Sequence, residues 1–209
     1  MRLSDYTLDF KTIFPRYENH LPWEITAQIP EIVQSRINDL SEDEYHIDGT
    51  IAIHKTAVVE TGVILKGPIV ISKDCFVGAH AYLRGGVFLA ESVKIGPGCE
   101  IKTSILLTAS ATAHFNFIGD SIIGSYVNFE AGSVVANHYN ERENKQITVR
   151  VGMENRATGV EKFGALVGDY SRIGANAVLS PGTILDSRAI VGRLELIDQQ
   201  SGHLRSFSK

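Results

Sequence analysis

Every sixth residue is aliphatic through residues 57–116: Val59, Leu65, Ile71, Val77, Leu83, Leu89, Ile95, Ile101 and Leu107, lapsing at Ala113. Two places earlier in each unit stands a small or β-branched residue: Ala57, Val63, Ile69, Cys75, Ala81, Val87, Val93, Cys99, Ile105, Ala111. Ten such units follow one another without insertion. A six-residue period sustained this long marks a parallel β-helix, in which each unit is a short strand plus a corner. An α-helix would need apolar returns near every 3.6 residues and does not get them. The β-branched content suits strands, and Gly in the turn places of some units permits sharp corners.

In a three-sided coil, eighteen residues make one turn, and residues eighteen apart stack at the roughly 5 Å spacing of neighbouring strands. The residue after each buried aliphatic then forms three columns. One holds Lys66, Arg84 and Lys102, a second Ser72, Ala90 and Thr108, a third Glu60, Gly78, Gly96 and His114. Stacked cations repel unless an anion sits among them, so the first column is a candidate phosphate site, with Arg84 able to hold two oxygens at once. The plain alternative is a solvated corner. In the third column, His114 above two glycines faces open space, where an imidazole can serve as a general base near neutral pH. A corner histidine held by a backbone carbonyl is the other reading.

Residues 1–50 carry no six-residue units and form an expected N-terminal helical cap. Ile29, Ile32, Val33, Ile37 and Leu40 recur at helical spacing around Pro30, a favourable first-turn residue. One amphipathic helix, about 30–40, is expected to plug the open end of the coil or pack on a neighbouring chain, with Trp23 in that packing. The β-helix is expected over 51–193, and 194–209 reads as a tail. A phase slip is expected at residues 114–120, two units having five residues there. Residues 138–163 read as an inserted loop whose stretch 146–151 alternates like a strand, with 157–160 as its returning partner. So long an insertion in a compact repeat is usually a binding loop. The repeat resumes at Ala165, with Val167, Ile173, Leu179, Leu185 and Val191 inward.

The chain has 209 residues, 44% hydrophobic, with formal charge −4, enough for one continuous core. Its slightly acidic balance argues against nucleic acid as the main partner. No apolar run approaches a membrane span, and residues 1–14 lack a signal peptide's apolar segment, so a cytoplasmic location is expected. Cys75 and Cys99, both in the inward first place, read as small core residues. A metal is not expected, because no three histidines converge.

Specific stretches now matter. His114-Phe115-Asn116-Phe117-Ile118-Gly119-Asp120, Tyr126-Val127-Asn128-Phe129-Glu130-Ala131-Gly132 and Ala136-Asn137 resemble the acetyltransferase domain of bifunctional N-acetylglucosamine-1-phosphate uridyltransferases. Tyr82-Leu83-Arg84-Gly85-Gly86 and Cys99-Glu100-Ile101-Lys102 match the same domain without a gap. Thr158-Gly159, Lys162-Phe163-Gly164-Ala165 and Val167-Gly168-Asp169 resemble the archaeal-type sugar-1-phosphate nucleotidylyltransferase/acetyltransferases, which carry a similar loop. The resemblance implies a left-handed β-helix, usually a homotrimer, moving acetyl from acetyl-CoA to the amine of an amino-sugar 1-phosphate or nucleotide amino sugar. It implies His114 as base, Arg84 and Lys102 on the phosphate or nucleotide, and Asn128 and Asn137 on sugar and acyl group. Lys145 and Lys162 become loop contacts, and a need to bury one coil face adds to the case for a trimer.

Some positions depart from that family. Phe117 stands where it usually has a ligand-binding tyrosine, and His138 replaces a tyrosine after Asn137. Ala175 and Arg193 fall where it has a serine and an alanine near acetyl-CoA. The family's nucleotidyltransferase domain is absent, so nucleotide transfer is not expected. Two alternatives stay open: a sugar-nucleotide-binding or scaffold β-helix without turnover, and an acyl-carrier-protein-dependent acyltransferase.

Overall fold

Strand pairing follows the repeat. In the computed structural model, which describes residues 1–199, Val58–Val59 pairs in parallel with Phe76–Val77, and that strand with Lys94–Ile95, eighteen residues on each time. A 13-stranded sheet and a seven-stranded sheet together make the sides of a parallel β-helix, consistent with the left-handed form of the resemblance. Inside, Val77, Leu83, Leu89, Ile95 and Ile101 are fully buried, Val77 stacking with Ile95 and Leu83 with Ile101 on neighbouring coils. Most corners turn through a left-handed residue: Gly62, His80, Gly98, Phe115, Gly132, Asn176 and Leu194 form one such column. Cys75 and Cys99 are free and buried, and burial pushes the Cys75 thiol up to about 12.

The phase slip begins earlier than the sequence pattern places it. Arg84 pairs with Lys102 eighteen residues on, but Val87 pairs with Ser104, only seventeen on. Gly85 and Gly86 thus share one corner place with the single residue Thr103, at φ 46°. The next coil turns the same corner with the single residue Asp120, at φ 47°. The inward residues after Ile101 are therefore Leu106 and Thr112, both buried, where uninterrupted counting put Leu107 and Ala113. The lapse at Ala113 was the visible trace of a residue lost at Thr103. Close backbone approach follows: a Cβ on Gly96 would stand 1.4 Å from the Ala113 carbonyl oxygen.

The expected helix is present as Ile29–Asn38, burying Ile29, Ile32, Val33 and Ile37, but it does not plug the end of the coil. It lies along one side, against Ile69–Ile71, Tyr82–Leu89 and Glu100–Leu106. That side is apolar on its outer surface as well. Val70, Phe88, Ile105, Ile122 and Leu166 stand in one column and are all buried. A strand covered on both faces reads as a continuous apolar run, which is what the triplets Ile69-Val70-Ile71 and Val87-Phe88-Leu89 are. The chain's own N-terminal segment provides the cover, Phe14 meeting Phe88 edge-on at 4.9 Å. A coil face in need of burial is thus no argument for a trimer here.

The first coil's edge is closed differently, by Tyr45–Asp48 running antiparallel to Ile51–His54. At its other end the N-terminal segment is pinned by Asp169, whose carboxylate accepts the Leu8 N–H at 2.9 Å and the Ser125 N–H at 2.7 Å. The inserted loop holds a hairpin, Thr148–Val151 against Glu154–Ala157, three residues earlier than the expected partner 157–160, whose Thr158 and Val160 bond Ile147 at its base; Ile147 and Val149 are buried beneath it. Its return reaches Phe163, which packs at 6.0 Å on Trp23 of the N-terminal segment. The expected tail is described only to residue 199, including the strand Leu196–Ile197.

Phe88→Ala should destabilise the protein by about 3–5 kcal/mol in urea unfolding, the usual cost of deleting a buried ring. Leu196→Ala, at a side chain 62% exposed, should stay within about 0.5 kcal/mol. Equal effects would mean that the N-terminal segment does not cover this side in solution.

Candidate functional site

Backbone pairing stacks Lys66, Arg84 and Lys102 on one corner, and the column continues to Gly119, which leaves space above Lys102. Two of the three cations have carboxylate partners that the sequence pattern did not single out. Arg84 Nε donates to Glu100 at 2.8 Å, and Lys102 Nζ donates to Asp120 Oδ2 at 2.6 Å. Asn137 Nδ2 donates to the same Asp120 oxygen. The side chains of Lys102 and Asp120 are only 16% and 9% exposed, so their attraction is poorly screened. Arg84 and Glu100, at 37% and 33%, form a pair that contributes about 0–1 kcal/mol. Lys66 and Arg84 both stand near the Tyr82 ring, at 5.3 and 5.7 Å from its centroid. The signal for these partners was in the sequence: Glu100 shares the outward face of a strand with Lys102, and Asp120 occupies the corner one coil on.

A cleft of about 440 Å³ opens beside this corner. Thr103 and Asp120 belong to the coil, Thr26, Ala27 and Pro30 come from the N-terminal segment, and Val160, Glu161 and Lys162 from the return of the insertion. Lys162 therefore joins the group, whereas Lys145 and His138, half-buried in the insertion, do not line this cleft. A Cβ on Gly119 would come within 2.9 Å of both Asn137 Cγ and Phe117 Cζ, so glycine lets those two side chains close over the strand.

His114 lies at the opposite edge of the same side, between Ala111–Thr112 and Phe117–Gly119. Its backbone oxygen accepts the Gly132 N–H at 2.8 Å, and its exposed imidazole has no hydrogen-bond partner among the described residues. With the coil shortened at Thr103, its column is not the two glycines. Hydrogen bonds between successive corners instead align Ala79, Pro97, His114, Ala131, Ala175 and Arg193. From His114 to Gly119, level with Lys102, is five residues, at most about 17 Å of extended chain. Phe117 and Glu100, side by side, occupy the strip between.

The structure thus joins Lys102 and Asn137 on Asp120, sets Lys162 in the lining of the cleft beside it and Arg84 one coil away on Glu100, and places His114 five residues along the sheet from Gly119. Asn128 is elsewhere. It starts Asn128–Phe129 in the seven-stranded sheet, next to Arg172, and lines a groove of about 300 Å³ with Glu130, Arg172 and Arg193. Arg193 donates there to both oxygens of Glu130, at 2.8 and 2.9 Å, and the Ala175 N–H donates to the same carboxylate at 2.9 Å. The Arg193 hydrogen bond, with the Ala175 N–H second, holds the Glu130 carboxyl down at about 2. Among the described residues no cluster of His, Cys, Asp and Glu could hold a metal ion, and no helix is long and apolar enough to cross a membrane.

Comparison with known proteins supplies the context. The profile of the GMPPB C-terminal domain family matches residues 65–190. A bifunctional sugar-1-phosphate nucleotidylyltransferase/acetyltransferase of Sulfurisphaera tokodaii is 32% identical over 167 residues, 79% of this chain and 41% of that protein. A bifunctional protein GlmU of Methanococcus maripaludis is 36% identical over 180 residues, 85% of this chain and 43% of the relative. The chain therefore spans less than half the length of these curated relatives. Among solved structures, PerB from Caulobacter crescentus, in complex with CoA and GDP-perosamine, aligns with 52% of this chain and 57% of its own at 18% identity and a TM-score of 0.28.

The Glu130–Arg193 pair has a pH signature. A carboxyl depressed from 4.5 to about 2 contributes stability above its unfolded value, and loses it as pH falls from 4.5 towards 2. Arg193→Met should return the Glu130 titration, followed by carboxyl NMR, towards 4.5, and the stability difference between the two proteins should vanish at the acid end. An unchanged titration would show that the pair is not formed in solution.

Proposed function

The chain belongs to the GMPPB C-terminal domain family, and from that premise we propose that it is an acyl-CoA-dependent N-acetyltransferase acting on an amino-sugar 1-phosphate or a nucleotide amino sugar. One observation carries the reading: a free imidazole and a cation corner flank a single strip of sheet, a spacing that one phosphorylated sugar with its acyl donor can bridge. The phosphate engages Arg84 and Lys102, and Lys162 meets the same ligand from the insertion. The amine, placed towards His114, attacks the thioester carbonyl. A C–N bond forms, the C–S bond breaks, His114 takes the amine proton, and the CoA thiolate leaves to be protonated. Holding both reactants on one rigid sheet contributes by orientation alone.

Acetyl-CoA is the proposed co-substrate, and its course follows the column from His114 through Ala131 and Ala175 to Arg193. Asn128 and Arg172 border that path and give Asn128 a role on the acyl side. Supporting this is the naming of the relatives as acetyltransferases along with their nucleotidyl half. A homotrimer and a cytoplasmic location belong to the proposal too, the trimer resting on the family resemblance alone. A second reading, a sugar-nucleotide binder without turnover, draws on Arg193, which is closed on Glu130 in the groove where CoA would lie. Calorimetry with acetyl-CoA separates the two, since such a binder takes up no CoA.

His114→Ala should lower kcat for acetyl transfer about 10²–10⁴-fold with the circular dichroism spectrum unchanged. Lys102→Met should act mainly on KM for the phosphorylated sugar. Wild-type transfer by the folded His114 variant would remove the base from the mechanism.

A further inference from the structure

Asp120 is the most confined carboxylate of the cation corner. The residue is 6% exposed, in a left-handed conformation that costs a non-glycine residue energy and therefore needs support around it. That support is visible. Its N–H donates to the Lys102 carbonyl at 2.9 Å, its carbonyl accepts the Gly164 N–H at 2.9 Å, and Oδ2 takes both Lys102 Nζ and Asn137 Nδ2. Oδ1 is different. No donor among the described residues reaches it, and Asp120 lines the cleft walled by Thr26, Ala27, Pro30, Val160 and Lys162.

Oδ1 is not among the buried partnerless oxygens, so this carboxylate, with one oxygen committed to Lys102 and Asn137, keeps the other open to whatever enters the cleft. The cleft restricts what that can be. It sets an acceptor in Asp120, a cation in Lys162 and apolar wall in Ala27, Pro30 and Val160, a combination suited to a hydroxylated ring carrying an anionic group. We infer that Asp120 Oδ1 accepts a hydrogen bond from a ring hydroxyl of the sugar, so that Asp120 selects hydroxylated over deoxygenated substrates. This rests on the reading of the corner as the sugar site, and adds to it a specificity residue. Lys102 is then held by Asp120 as well as being a phosphate ligand, and the ion pair sets which carboxylate oxygen remains for the sugar. A site built around such an acceptor rejects an analogue lacking the hydroxyl, because a bound ring shuts water off from Oδ1 and then leaves it without a donor.

Calorimetry with glucose 1-phosphate, glucosamine 1-phosphate, UDP-glucose, and the 3-, 4- and 6-deoxy forms of glucose 1-phosphate tests this. One deoxy sugar should bind wild type about 10- to 100-fold more weakly than its parent. In Asp120→Ala no polar side-chain atom faces the cleft there, and the discrimination should fall below threefold. Ala27→Trp, at an exposed wall position away from the corner, should weaken every probe and gives a readout if Asp120→Ala does not fold. Deoxy sugars within threefold of their parents on wild type, discrimination surviving in folded Asp120→Ala, no binding of any probe, or unchanged binding to Ala27→Trp would each overturn the inference. Discrimination retained alongside absent acetyl transfer would overturn only the transferase reading.

Discussion

Backbone hydrogen bonding between successive coils is the constraint on which the rest depends. Each short strand has no partner within its own coil and is satisfied only by the coils before and after it. Side-chain columns are therefore set by coil length, and one residue more or less displaces every later column. The two glycines opposite Thr103 show this directly. Lys66, Arg84 and Lys102 precede the shortening and stack as an eighteen-residue count demands. His114 follows it, and stands over Pro97 where that count places it over glycine.

The same shortening shapes the site. At the corner where Gly85 and Gly86 stand in one coil, Thr103 and Asp120 stand singly in the next two, both with positive φ. Asp120 is thereby brought against Lys102 and Asn137 and beside the cleft. A regular repeat presents the same corner on every coil. A binding place needs one corner that differs, and here losing a residue makes the difference.

Charge and cover divide the outer surface. One side carries an apolar outer column and is sealed by the chain's own helix, with Phe14 on Phe88 and Trp23 on Phe163. The neighbouring side carries Tyr82, Arg84, Glu100, Lys102 and Phe117, and remains open to a ligand. The N-terminal segment and the insertion meet at the boundary between them, and so build the walls of the cleft. Cations that would repel one another in a bare column are tolerated because Glu100 pairs with Arg84 and Asp120 with Lys102.

The sequence by itself determined the β-helix, the helix near Pro30, the hairpin in the insertion and the stacking of Lys66, Arg84 and Lys102. All of these are periodic or local, and periodicity is written in residue order. The family followed from short motifs around His114 and Arg84. Only the tertiary structure decided where the first coil shortens, that the helix lies along the side, and that Asp120 joins Lys102 to Asn137. It also separated Asn128 from the residues expected beside it. The physical reason is that a slip of one residue is absorbed at a corner, where almost any residue fits, while its effect is felt in hydrogen bonds between coils seventeen or eighteen residues apart.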